Sequence, residues 1–219
     1  MTMYKLALLF LFQLPSALSD NSMCENFAVH AGTAVTFDGV PTRIHRGGVG
    51  VSPGTSVTGA YLIEDGEVVY DSAGFAATKL ATHTAAIAVR VEGKPMAVEI
   101  GGKTFTPGTY RSGSGINFAY GTVVTLDAQG AESSTFLFQA TSTLVTATGT
   151  SFILKNGAKA ENVFWAIGTA ATLGASSVLE GSILAGTAIT FGVSSELHGC
   201  AIAQTFVFFA GDGSVKPAH

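Results

Sequence analysis

The sequence predicts a mainly β fold: a β-solenoid of triangular cross-section, about six coils deep, with one long α-helix packed along one side. Three observations carry that expectation. A phrase returns every eighteen residues, as Gly168-Thr-Ala-Ala-Thr-Leu173, Gly186-Thr-Ala-Ile-Thr-Phe191 and a degraded Gln204-Thr-Phe-Val-Phe-Phe209. Three short strands separated by Gly/Ser corners fill such a period when each side holds about four or five residues. Only 12% of the 219 residues are charged, and Gly, Ala, Ser and Thr stand in their place, as in a chain built from short strands and tight corners. One stretch alone, rich in Ala, breaks the β pattern with helical spacing.

Met1 to Ser19 reads as a secretory signal: Lys5, then an apolar run from Leu6 to Leu14, then Ala17-Leu18-Ser19 as a small-residue cleavage site. The run is too short to span a bilayer. Residues 20–219 are then expected to form a single domain. In an oxidising compartment the two cysteines, Cys24 and Cys200, read as a disulfide, with two separate buried thiols as the alternative.

From Asn26 to Gly59 the chain already carries the repeat phrase in Gly32-Thr-Ala-Val-Thr-Phe37 and Thr55-Ser-Val-Thr58, with a turn at Asp38-Gly39. Tyr61 to Val69 reads as a less regular crossing. Asp71-Ser72 supplies an N-cap for a helix over Ser72–Arg90. At about 1.5 Å per residue that helix matches the height of six stacked coils. Gly93 to Tyr110 reads as a short hairpin-like stretch, with turns at Gly101-Gly102 and Pro107-Gly108. The repeats resume as Gly121-Thr-Val-Val-Thr-Leu126 and Ser142-Thr-Leu-Val-Thr-Ala147, and Asp212 to His219 reads as a loose tail.

Each period divides into three sides. Ahead of the threonine phrase the residues are apolar at consecutive positions, as in Thr135-Phe-Leu-Phe138, Val163-Phe-Trp-Ala166 and Ser182-Ile-Leu-Ala185. A strand apolar on both faces is covered on both faces, so this side is assigned to the helix. After the phrase come Lys155, Glu180, Glu196 and His198, an ordinary solvated side. Within the phrase, alternation turns the larger side chains inward. Thr36, Ser56, Thr58, Thr125, Leu144, Thr146, Ala170, Thr172, Ala188 and Thr190 are thereby predicted to point outward, joined by Val123 and Ala34.

Outward Thr, Ser and Ala on stacked strands form a two-dimensional grid without charge. β-branching fixes each Thr rotamer, so hydroxyls and methyls hold set positions and can order water between them. The plainer reading of such a side is that Thr simply suits strands.

The chain resembles the widespread ice-binding protein family of cold-adapted microbes. The resemblance rests on Gly50-Val-Ser-Pro-Gly-Thr55 with Val57-Thr-Gly59, Thr106-Pro-Gly-Thr-Tyr110, Val124-Thr-Leu-Asp-Ala-Gln-Gly130, Thr135-Phe-Leu-Phe-Gln139, Asn156-Gly-Ala with Asn162-Val-Phe-Trp165, and Ala171-Thr-Leu-Gly174. It implies a right-handed solenoid that binds ice through one flat face. It also implies an N-terminal coil packed beside the last coil, out of sequence order, bringing Cys24 near Cys200. Glu161 stands where many relatives carry Cys. Phe206 and Phe208 replace Ala and Thr in the last repeat, and Leu144 and Val123 interrupt the grid. Moderate rather than extreme inhibition of ice growth follows as the expectation.

The expected partner is an ice surface with its ordered water, met by a monomer. A net charge of −4 with no run of Lys or Arg argues against nucleic acid and anionic membranes. No enzyme is expected: a carbohydrate-active β-helix needs converging carboxylates, whereas Asp127, Glu132, Glu161 and Glu180 fall singly or at turns. No metal or other cofactor is expected, because His30, His45, His83, His198 and His219 share no ligand spacing. A secreted adhesion or matrix solenoid without ice activity is the alternative.

Overall fold

The computed structural model describes Cys24, residues 27–70 and residues 93–218. The N-terminal part comprises β1 (Phe27–Ala31), β2 (Ala34–His45), β3 (Gly48–Val51), β4 (Ser56–Glu64) and β5 (Val68–Tyr70). Next come β6 (Lys94–Pro95), β7 (Thr104–Phe105), β8 (Gly108–Ser112), β9 (Ile116–Phe118), β10 (Val123–Asp127), β11 (Phe136–Ala140), β12 (Leu144–Thr146) and β13 (Ser151–Lys155). A 3-10 turn at Ala160–Asn162 leads into β14 (Val163–Ile167), β15 (Ala171–Leu173), β16 (Val178–Glu180), β17 (Ser182–Ala185), β18 (Ala188–Phe191), β19 (Glu196–His198), β20 (Ala201–Ala203), β21 (Phe206–Phe209) and β22 (Ser214–Val215).

The fold is mainly β as expected, but the expectation of one long α-helix along its side is corrected. Among the described residues there is no α-helix: strands are joined by turns, with 3-10 geometry at Ala160–Asn162 and at Cys24. The span expected to be helical, Ser72–Arg90, lies outside the described residues. What the described residues form is a parallel β fold.

Every strand pairing in it is parallel, and parallel neighbours cannot be joined by a tight turn. Here the connection between neighbours on one side runs through the other two sides. The first side is stacked in the order β5-β3-β1-β20-β17-β14-β11-β8-β6. The second is β2-β21-β18-β15-β12-β9, extended by β4 on β2. The third runs β7-β10-β13 and β16-β19-β22, the latter leading to the second halves of β2 and β4. β2 reaches both because it rounds the corner with a register irregularity between Phe37 and Thr42, where Gly39 adopts φ +81°.

In the stack, β1 pairs with β20, Val29 opposite Ala201. The N-terminal coils therefore dock on the C-terminal coil, and Cys24 is bonded to Cys200 across that junction. Two local expectations change. Residues 93–110 are not a hairpin, since β6 pairs with β8 in parallel. The segment expected as a loose tail contributes β22, which inserts between β19 and β2 with Val215 fully buried.

Parallel register puts like on like, and inside the column this builds aromatic ladders. Phe138 stacks on Trp165 at 4.3 Å between centroids and on Tyr110 at 5.4 Å. Phe209 stacks on Phe191 at 4.3 Å and on Phe37 at 5.0 Å. Each such pair contributes about 0.5–1.5 kcal/mol beyond area burial. The first side is buried on both faces, as its consecutive apolar residues require: Leu137, Phe164, Ala166, Leu184 and Ile202 form a second buried cluster with the cysteines, apart from the main core.

The corner between second and third sides repeats one device. A hydroxyl donates to the carbonyl three residues earlier at Thr122, Thr150, Ser177 and Ser195, with distances of 2.6 to 2.9 Å. This satisfies a backbone acceptor where the strand ladder lapses.

Candidate functional site

On the second side, register aligns outward positions into columns that cross the coils. Val145, Thr172, Thr190, Phe208, Thr36 and Thr58 occupy one column, begun by Asn117 opposite Val145. Two residues earlier on each strand lies a second column with Ala170, Ala188, Phe206, Ala34 and Ser56. Between them the inward positions Leu144, Ala171, Ile189, Val207 and Val35 are fully buried. Coils stack at about 4.8 Å and alternate residues recur at about 6.8 Å along a strand, so the outward positions form a rectangular grid.

A third column precedes these at the corner and was not read from the sequence. Thr33, Thr55, Thr169, Thr187 and Thr205 are all exposed. Backbone bonds run from the Thr187 N–H to the Thr169 carbonyl and from the Thr205 N–H to the Thr187 carbonyl, both at 2.8 Å. The Thr205 hydroxyl adds a bond to the Thr187 carbonyl at 2.6 Å. The corner is sharp because the preceding glycine lies against the next coil. A Cβ on Gly54 would sit 2.0 Å from the Thr33 carbonyl oxygen, and one on Gly168 would sit 2.3 Å from that of Thr141. The sequence carries a signal for it: each clean copy of the phrase opens with Gly-Thr and so repeats at the same period as Thr172 and Thr190.

Of the residues expected on the face, Thr36, Ser56, Thr58, Ala170, Thr172, Ala188 and Thr190 lie together on it. Thr125 does not: β10 belongs to the third side, where Thr125 pairs with Ile153 and Thr104. Leu144 and Thr146 are corrected as well. They point inward with 0% and 2% exposure, while Val145 between them faces out. The Thr146 hydroxyl accepts the Gly174 N–H at 2.9 Å and donates to the Ser177 hydroxyl at 3.1 Å, so its burial leaves no polar atom unpaired.

The face carries no charged side chain in any of its columns. Charge collects on the third side instead, where Glu180 bonds His198 at 2.8 Å and Glu196 approaches it at 3.6 Å. The bond to Glu180 raises the His198 pKa above its usual range. Asp127, which accepts from Asn156 and from the Gln129 N–H, is held below the usual carboxylate range. A small open cavity of about 230 Å³ adjoins the Glu180–His198 pair, lined also by Arg46, Lys216 and Pro217. Among the described residues, no cluster of three or more His, Cys, Asp or Glu could hold a metal ion. Among the described residues the grid is thus an extended surface without charge, made mostly of Thr, Ser and Ala and interrupted by Val145, Phe206 and Phe208.

Comparison with known proteins places this geometry in company. The family model described as ice-binding-like matches residues 29–212. An ice-binding protein of Nostoc sp. (strain HG1) is 36% identical over 174 residues, covering 78% of this chain and 63% of the relative. Ice-binding protein K3-B1 of Typhula ishikariensis is 32% identical over 185 residues, 73% of this chain and 74% of the relative. The chain thus spans just under two thirds of the Nostoc protein and about three quarters of the Typhula one. Among solved structures, the ice-binding protein of the Antarctic ascomycete Antarctomyces psychrotrophicus superposes with a TM-score of 0.81 at 32% identity, covering 90% of this chain and 97% of that one. An ice-binding protein from an Antarctic biological consortium gives 0.83 at 30% identity, covering 91% of each chain.

Proposed function

Since the chain belongs to the ice-binding-like family, we propose that it adsorbs to ice through the second side and restrains ice growth and recrystallisation. The observation that carries this reading is the charge-free grid, mostly Thr, Ser and Ala, held in register by parallel coils. Strand hydrogen bonds fix the backbone and β-branching fixes the Thr rotamers, so the face is ordered before it meets any partner. Methyls leave shallow slots, and hydroxyls anchor the waters that fill them. Binding then costs little reorganisation. Adsorbed molecules pin the growing front, which bulges between them, and curvature lowers its local freezing point.

On this reading the protein is a non-enzymatic monomer whose partner is an ice surface, with no nucleic acid and no membrane involved. Residues 20–219 act as one domain, secreted behind the signal at residues 1–19. The Cys24–Cys200 bond suits an oxidising compartment.

The test is nanolitre osmometry with crystal-shape imaging. Thr172→Tyr, which places a ring on the grid, is expected to lower thermal hysteresis several-fold. Thr125→Tyr, on the third side, is expected to leave it unchanged. Equal behaviour of the two variants, both folded, would put the contact elsewhere, and a wild type that neither shapes crystals nor shows hysteresis would end the proposal.

A further inference from the structure

Resting on the reading that the second side meets ice, we propose that Phe206 and Phe208 divide that face into two patches that cannot engage one plane together, and so limit how firmly the molecule is held. In the linear sequence the pair belongs to the last repeat, where it would cap one end of the grid. The stacking order puts it elsewhere. β21 lies between β18 and β2, so Phe206 sits between Ala188 and Ala34, and Phe208 between Thr190 and Thr36.

β21 cannot sink to hide the rings. Its inward residues Val207 and Phe209 are fully buried, and Phe209 is stacked between Phe191 and Phe37 in the core ladder. The strand is therefore held level with its neighbours. Both outward phenylalanines must then extend past the Ala and Thr positions beside them. Phe206 is 46% exposed, and Ala188 next to it is only 7% exposed although it points outward.

The result is an apolar ridge across a grid of small side chains. On one flank lie Thr172 and Thr190 with their coil-mates. On the other lie Thr36 and Thr58, whose hydroxyls bond each other at 3.4 Å. A rigid plane resting on one flank and the ridge is lifted from the other. Two binding patches add their strength only where geometry allows both to engage at once, and otherwise the gain is lost.

Replacing the ridge by the residues of its neighbours, Phe206→Ala with Phe208→Thr, joins the flanks. Thermal hysteresis at equal concentration is expected to rise by about twofold or more, with the melting temperature of the protein as a control for folding. An unchanged or lower hysteresis in the folded double variant overturns the proposal, a fall meaning that the rings themselves touch ice. Should that variant not fold, Phe206→Leu with Phe208→Val lowers the ridge within an apolar strand. It is expected to raise hysteresis to a smaller extent, and no rise overturns the proposal equally. Thr172→Tyr in the wild-type background separates the two levels. If it lowers hysteresis while removal of the ridge does not raise it, the ridge alone is wrong. If neither Thr172→Tyr nor Thr36→Tyr, one on each flank, lowers hysteresis, the face is misassigned and the ridge proposal falls with it.

Discussion

The residues of the second side owe their direction to a period of two, and a one-residue slip reverses every one of them. Leu144 and Thr146 illustrate this. Their phrase, Ser142-Thr-Leu-Val-Thr, reads like the clean copies, yet Leu144 pairs with Ala171 and not with Ala170. The coil joining β12 to β15 is longer than the eighteen-residue period, so spacing could not set the register there. Where the period holds, at Thr172 and Thr190, orientation was legible from the sequence. On the third side, His198 provides a test of electrostatics independent of ice. Its pKa is raised, chiefly by the bond to Glu180. A raised folded-state pKa means that the stabilisation is full below the ordinary value of 6.5 and is lost as pH rises through the shifted one. The melting temperature of the wild type is therefore expected to fall over that interval more than that of His198→Gln, as read by thermal melts across neutral pH. Parallel curves would remove the assigned role of Glu180.

Strands and corners explain which parts of the fold the sequence disclosed. The consecutive apolar residues of β11, β14 and β17 indicated a side buried on both faces, and their outward Leu137, Phe164 and Leu184 are buried. The threonine phrase did not identify its side, because a Thr-rich alternating strand suits any solvated face. Gly121-Thr-Val-Val-Thr-Leu126 thus belongs to the third side while its look-alikes belong to the second. Corner glycines separate the two meanings. Gly168 is required by the close approach of the Thr141 carbonyl, not by an unusual backbone angle. Gly168→Ala would push apart the coils that align Thr169 with its column. A destabilisation of about 1–3 kcal/mol is expected by chemical denaturation, as for overpacked cores. An unperturbed midpoint would mean that the corner yields freely.

At the scale of the whole molecule, order in space departs from order in sequence, and no periodicity could report it. The family resemblance implied that the N-terminal coil meets the last one, and reading Cys24 and Cys200 as a disulfide tied the same two ends; the pairing of β1 with β20 and of β2 with β21 bears this out. The Cys24–Cys200 bond clamps this junction over a separation of 176 residues. Reduction, or Cys24→Ser with Cys200→Ser, is expected to lower the melting temperature by about 5–15 °C, taking the chain-entropy contribution of so long a loop and the usual response of a domain this size. Calorimetry with and without reductant checks it, and coincident transitions would leave the strand pairing alone as the clamp. The same junction governs how the molecule is made. The coils that bear Thr36 and Thr58 leave the ribosome well before the strand they lie against is synthesised. At about 5–20 residues per second, translation takes about ten to thirty-five seconds to travel from Cys24 to Cys200. For that interval the nascent N-terminal strands have no partner from the far end of the chain, and shielding their open edges falls to the machinery of synthesis.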